Sequence, residues 1–300
     1  MQTQVLSSAA AVSPLFPEIK QEYGALFEAD IVANVAAALA EDVGSGDVTG
    51  LLVPDVPRTA RILVREDAIL CGVPWFQEVL NQLSGGGIIE AHWHYREGDR
   101  MTADTAVVEL RGPARGLLTA ERNAMNFLQL LSGVATATRR YADAIVGTRA
   151  RVLDTRKTLP GLRLAQKYAV RVGGGANQRL ALYAGILIKE NHIAAAGGVE
   201  EALRAAFALN SGVPIQIEVE TLAQLNTAIA AGAQSILLDN FSLEMMREAV
   251  ALNAGRAVLE VSGGVNLDTV AAIAATGVDR ISVGSLTKDV RATDFSMRLV

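Results

Sequence analysis

The chain has 300 residues, half of them hydrophobic and a fifth charged, with 27 Lys and Arg against 32 Asp and Glu for a net charge of −5. Such a balance suits a globular chain of one large or two medium domains and excludes a wholly basic, nucleic-acid-binding surface. The single cysteine, Cys71, excludes an intrachain disulfide framework and fits a reducing cytoplasm, where its ordinary role is that of a small buried hydrophobe.

Residues 1–24, MQTQVLSSAAAVSPLFPEIKQEYG, lack the basic start and apolar block of a secretory signal and read as a loosely ordered extension. Helical periodicity runs from Ala25 to Ala40, and EDVGSGDVTG then breaks it with three glycines. TARILVRED follows as a strand, PWFQEVLNQL as a helix, GGG as a turn, and IIEAHWHY and TAVVELRG as further strands. Residues 25–130 therefore predict an α/β sandwich domain. Within it His92 and His94 share a strand face, but an H-x-H pair with no third ligand nearby is structural rather than zinc-binding. The longest apolar runs, such as IVANVAAALA, are about half of what a membrane span needs, so no membrane association is expected. From Leu117 to Ile145 the pattern is helical, interrupted near Gly133, and it bridges to a second domain over residues 131–300, whose C-terminal tail is free to return to the first.

After Ala150 the rhythm changes. Short apolar runs, RVLD, ILIK, IQIEVE, SILLD, AVLEV and RISVG, alternate with helix-length segments that often end at Gly. Repeated βα units of this kind build a doubly wound sheet or a β/α barrel. Asp154, Lys189, Glu218 or Glu220, Asp239, Ser262 and Gly284 all lie at or just beyond the C-terminal ends of those runs. A barrel brings such ends to one mouth, whereas an open sheet spreads them apart, and about 150 residues are too few for a complete eight-unit barrel. The pattern predicts a reduced barrel.

Seven cations fall between Thr155 and Lys189 (Arg156, Lys157, Arg163, Lys167, Arg171, Arg179 and Lys189) with no Asp or Glu among them. A basic island in an acidic chain points to a local anionic ligand. Arg156 and Arg179 have the planar fork that clamps carboxylates, while Lys157 and Lys189 are point charges suited to phosphate. Arg163, Lys167 and Arg171 follow helical spacing, so some of them read more as a solvated face. VSGGV and SVGSLT place small residues after the last two strands, where barrels often seat a phosphate on backbone N–H groups. Glu218 and Asp239 each end a strand; aimed at a phosphate-bearing ligand they suggest Mg²⁺, and otherwise helix caps or ion pairs with the nearby lysines. His192 either contacts ligand or caps a helix.

These residues resemble the quinolinate phosphoribosyltransferase family, also called nicotinate-nucleotide pyrophosphorylase (carboxylating). The likeness runs from about Ala25 to the C-terminus through DVGSGDVT, ERNAMNFLQLLSGVAT, DTRKTLPGLR, KYAVRVGGGANQRLAL, LIKENHI, IEVE, LLDNF, EVSGGV and VGSLT. It implies an N-terminal α/β sandwich plus an incomplete, seven-stranded α/β barrel of the type II phosphoribosyltransferase kind. It also implies that quinolinate and phosphoribosyl pyrophosphate give nicotinate mononucleotide, pyrophosphate and CO₂ in NAD biosynthesis. On the matching positions, Arg122, Arg156 and Arg179 would bind the quinolinate carboxylates, Thr155 and Gln178 would belong to the substrate-binding set, and Lys157 and Lys189 would contact both substrates. Glu218 and Asp239 would hold Mg²⁺ and the ribose hydroxyls, and Ser262, Gly263, Gly264, Gly284 and Ser285 would seat the 5′-phosphate.

The resemblance further implies a homodimer, or a larger assembly, in which Arg122 reaches the neighbouring subunit's site. Gln178 stands where the family usually has His, Ala184 where Asp is frequent, and Lys288 where His or a polar residue is common. A glutamine hydrogen-bonds but exchanges no proton near neutral pH. Three rival readings remain: transfer to nicotinate in place of quinolinate, a phosphosugar lyase using Lys189 as a Schiff-base nucleophile, and a non-enzymatic sensor of a phosphate ligand.

Overall fold

A computed structural model of the chain describes residues 5–300. In chain order its elements begin with β1 (Leu6–Ser7), α1 (Ser8–Ala11), α2 (Phe16–Tyr23), α3 (Ala25–Asp42), β2 (Pro57–Val64), β3 (Ala68–Ile69) and α4 (Val73–Gln82). Next are β4 (Glu90–Trp93), β5 (Arg100–Met101), β6 (Ala106–Pro113) and the long helix α5 (Ala114–Ala144). There follow β7 (Arg151–Leu153), α6 (Arg163–Val172), β8 (Ile186–Ile188), α7 (Glu190–Ala196), α8 (Val199–Ala208), β9 (Ile215–Val219) and α9 (Leu222–Ala230). The chain ends with β10 (Ser235–Asp239), α10 (Leu243–Asn253), β11 (Val258–Ser262), α11 (Val270–Ala274), β12 (Arg280–Ser282), α12 (Ser285–Lys288) and β13 (Phe295–Leu299). Among the described residues no single helix is long and apolar enough to cross a membrane.

Two compact units form, and they do not part at a single cut near residue 130. One takes the chain up to Arg139, then Leu159–Gly174 and Asp289–Val300; the other takes Arg140–Thr158 and Gly175–Lys288. The first unit is built on an antiparallel sheet of order β1-β4-β6-β2-β13. Strand β2 alternates as a half-buried strand must: Ala60, Ile62 and Val64 are buried while Arg61 faces out to Glu109 at 2.6 Å. The C-terminal tail supplies β13, paired to β2 from Phe295 against Val64 to Leu299 against Ala60.

Three sequence expectations change here. Residues 5–24 are not a loose extension, because β1 pairs with β4, the Trp93 indole donates to Ser8 Oγ at 3.2 Å, and α2 carries the buried Ile19. Elements this short show no periodicity in sequence; residues 1–4 lie outside the described residues. Helix α5 is unbroken at Gly133. A glycine is needed there because a Cβ would collide with the carbonyl oxygen of Arg291, so the residue marks a close approach of backbone rather than a helix end. Nor is α6 a solvated face. Its Lys167 is fully buried, and Arg171 is ion-paired with Glu18 and with Glu22, the latter at 3.0 Å, partners about 150 residues away in sequence and invisible to local spacing.

A buried carboxylate ties this unit together. Glu97 accepts from the backbone N–H groups of Ser13 (2.9 Å), Gly72 (2.6 Å) and Val73 (3.0 Å) and from the Tyr168 hydroxyl. Burial raises its pKa and the four donors oppose that rise. Around it Phe16, Phe27, Trp75 and Tyr168 pack with ring centroids 5.4 to 6.1 Å apart. Replacing Tyr168 by Phe removes one donor from a buried carboxylate and is expected to cost about 1–3 kcal/mol of stability, measurable by urea unfolding.

The second unit is a parallel sheet of order β7-β12-β11-β10-β9-β8. All six apolar runs read from the sequence are its strands. A seventh extended segment is reduced to one parallel bridge, Ala176 to Leu153, beside β7. In a flat sheet the Ala176 segment and β9 would be five strand spacings apart, about 24 Å. Yet the Gln178 side-chain amide donates to Gln216 Oε1 of β9 at 2.9 Å. The sheet therefore curls on itself, as the incomplete α/β barrel requires.

Candidate active site

Because side chains alternate along a strand, the curled sheet stacks its interior in layers. Lys189, Glu218, Asp239, Ser262 and Gly284 stand at or just past the strand ends, and Leu187, Gln216, Leu237, Glu260 and Ser282 are each two residues earlier. The first set forms a mouth and the second a floor. A cavity of about 190 Å³ opens between them, lined by Thr155, Arg156, Lys157, Gln178, Arg179, Lys189, Glu218 and Ser262, with Leu187, Leu237, Glu260 and Ser282 beneath.

Buried Asp154 joins the two cationic loops by accepting from Asn177 Nδ2 at 2.7 Å and from the Gln178 backbone N–H at 2.8 Å. Beyond it, Thr155 Oγ1 accepts from the Lys157 N–H at 3.0 Å, and the Lys157 carbonyl accepts from Thr287 Oγ1 at 2.7 Å. Gly284 lies under the Lys157 side chain, where a Cβ would come within 3.2 Å of Cδ. The loop carrying Gly284 and Ser285 and the lysine of the DTRKT segment thus share one wall.

Arg179 donates from Nη1 to the Gly185 carbonyl at 2.7 Å. Burial first, and then the charge of neighbouring Arg156, lower its pKa below the ordinary guanidinium value. Two guanidiniums near enough to repel each other create a strong positive potential, which a dianion relieves. On the opposite side Lys189 Nζ lies 3.3 Å from Glu218 Oε2. Burial raises the Glu218 pKa, Lys189 lowers it, and Asp239 and Glu190 raise it again. His192 is a cap: its Nδ1 accepts from the Lys189 N–H at 3.0 Å at the start of α7.

Asp239 Oδ2 accepts from Asn240 Nδ2 at 2.8 Å, and Asn240 itself is left-handed at φ 56°. Gly263 and Gly264 follow β11 with φ 101° and 61°, and a Cβ on Gly263 would meet Asn240 Oδ1 at 3.2 Å. Glycine is required there twice over, by backbone conformation and by packing. Consecutive glycines leave N–H groups open to an anion. Asp239, Gly263, Gly264, Gly284 and Ser285 border the site without lining the cavity. Arg122 does not line it either and is exposed on α5. Sequence reading missed the polar floor, Gln216, Glu260 and Ser282, although the two-residue offset from the mouth positions was a usable signal.

Models of both quinolinate phosphoribosyl transferase domains match, the N-terminal over residues 47–132 and the C-terminal over 134–298. The chain belongs to the quinolinate phosphoribosyltransferase family. It is 42% identical to the nicotinate-nucleotide pyrophosphorylase [carboxylating] of Mycobacterium leprae, over 84% of this chain and 86% of that protein. Identity to a probable enzyme of the same name from Bacillus subtilis is 40%, over 86% and 89% of the two chains. The solved nicotinate-nucleotide pyrophosphorylase of Francisella tularensis superposes with a TM-score of 0.88 at 45% identity, covering 91% of this chain and 97% of that one.

The coupling within the carboxylate pair has a measurable sign. Lys189 favours ionised Glu218 and Asp239 disfavours it. Lys189→Met should therefore move the Glu218 carboxyl titration to higher pH and Asp239→Asn to lower pH, read by ¹³C NMR of the labelled carboxyl.

Proposed function

We propose that the cavity binds quinolinate beside phosphoribosyl pyrophosphate and that the chain transfers the phosphoribosyl group with loss of CO₂, forming nicotinate mononucleotide and pyrophosphate. The observation that carries this reading is the placement of two guanidiniums, Arg156 and Arg179, in the wall of one cavity of a chain whose relatives are named for that reaction. Two adjacent carboxylates on one planar ring match two planar forks better than any single charge does.

Catalysis follows from placement. With its carboxylates held by Arg156 and Arg179, the pyridine nitrogen is presented to the ribose C1 at attack distance. The bond from C1 to the pyrophosphate oxygen breaks with its electron pair staying on pyrophosphate, while C1 carries positive character until the ring nitrogen bonds to it. Lys157 and Lys189 meet the negative charge that builds on the departing oxygen. The ring is then cationic at nitrogen. It accepts the electron pair released when the adjacent carboxylate leaves as CO₂, and the ring carbon takes a proton from water. Gly263, Gly264, Gly284 and Ser285 would seat the 5′-phosphate on backbone N–H groups.

Glu218 and Asp239 would hold Mg²⁺. They are coupled by their charges, and among the described residues no group of three or more His, Cys, Asp or Glu forms a closed metal cage. Two carboxylates fit an ion that keeps several waters and takes its other ligands from phosphate. When bound, it supplies neutralising charge to the leaving pyrophosphate. Arg122, exposed on α5, would complete the quinolinate site of a second copy in a homodimer.

The direct test incubates the protein with phosphoribosyl pyrophosphate, Mg²⁺ and either quinolinate or nicotinate and follows CO₂ and nucleotide. Product from quinolinate supports the reading; product from nicotinate alone overturns it. Arg179→Ala should lower kcat/KM for quinolinate by an amount equivalent to about 2–5 kcal/mol, since truncation leaves a charged partner unpaired. Asp239→Asn should weaken the response to added Mg²⁺. Co-refolding inactive Arg122→Ala with inactive Lys189→Ala should recover activity if the site is shared between copies, and none if each chain is self-sufficient.

A further inference from the structure

We infer that Glu260 is a positioning residue for quinolinate, setting the Arg179 clamp through Gln178; the inference rests on the quinolinate reading above. Glu260 sits on β11, two residues below Ser262, and is fully buried in the floor of the cavity. Its oxygens accept from Gln178 Nε2 at 2.8 and 3.0 Å, from Gln216 Nε2 at 3.0 Å, and from the Ser282 hydroxyl. A carboxylate is acceptor-only, so it dictates which end of the Gln178 amide faces it. With that NH₂ group committed to Glu260 and Gln216, Gln178 Oε1 is turned outward and accepts from the Arg179 backbone N–H at 2.8 Å. The Gln178 backbone N–H is meanwhile fixed on Asp154. Arg179 is then held at both ends, by Gln178 at its backbone and by the Gly185 carbonyl at its guanidinium. Such a hold is needed because Arg156 pushes on it electrostatically.

The device depends on the polarity of the amide. Gln178 Nε2 is shared between both Glu260 oxygens, and in Glu260→Gln one of them becomes an NH₂ group. In the place of Oε2 it meets the donors of Gln178 and Gln216; in the place of Oε1 it meets Gln178 and obliges the Ser282 hydroxyl to accept instead of donate. In both orientations Gln178 loses one of its two acceptors on residue 260 and the charge of the carboxylate, which loosens Arg179 while Lys157, Lys189 and the phosphate loops keep their places. The effect should fall on one substrate only.

The test is steady-state kinetics of Glu260→Gln with both substrates varied, alongside thermal unfolding. We expect KM for quinolinate to rise about tenfold, the scale of one lost charge-assisted hydrogen bond, with KM for phosphoribosyl pyrophosphate within about twofold of wild type. Gln178→Met keeps the carboxylate but cuts its link to Arg179, and should give the same selective rise. This variant carries the test if Glu260→Gln fails to fold. The double variant should be no worse than Gln178→Met alone, because both changes break one chain of contacts. A wild-type quinolinate KM in a folded Glu260→Gln, a parallel rise in both KM values, or additive losses in the double variant would overturn the inference. Failure of the parent protein to use quinolinate would overturn the functional reading instead.

Discussion

The hydrogen bond between the side chains of Gln178 and Gln216 joins segments that a flat sheet would hold about 24 Å apart, and the curvature it reports governs the site. A parallel sheet that curls sends every second residue of each strand to a shared interior. Strand ends far apart in sequence, from Thr155 to Gly284, then border one space. Without the curl the same cations and carboxylates would lie on separate stretches of an open edge.

Within that space the electrostatics are unbalanced in a useful way. Arg156 lowers the pKa of Arg179, Asp239 raises that of Glu218, and the Lys189–Glu218 pair joins the two kinds of charge. Like charges held together store an unfavourable interaction that a ligand of opposite sign relieves. In the proposed function a pyridine dicarboxylate would answer the guanidiniums, and a metal ion shared with phosphate oxygens would answer the carboxylates.

The polar floor explains how such a mouth keeps its geometry. Apolar Leu187 and Leu237 alternate with Gln216, Glu260 and Ser282, and the polar members satisfy one another rather than water. A satisfied buried network rigidifies its surroundings, whereas an unsatisfied one would cost several kcal/mol. Gln178 is the side chain through which floor and mouth meet. Its neutral amide offers a donor and an acceptor at once, which suits it to link a carboxylate to a backbone N–H.

Much of this was legible in the residues themselves. Six apolar runs announced six strands because buried parallel strands are continuously hydrophobic, and the charged or glycine-rich positions closing each run announced a mouth. Local sequence also dictated Gly263 and Gly264, since side-chain residues rarely adopt their left-handed φ. Contacts between distant segments were beyond its reach: Lys167 buried, Arg171 paired with Glu18 and Glu22, and Gly133 against the Arg291 carbonyl. So was the partnership of Glu260 with Gln178, 82 residues apart. Periodicity reports which face of an element is apolar, because that depends on neighbours a few residues away; which polar groups meet inside depends on how the whole sheet bends, and only the folded chain decides that.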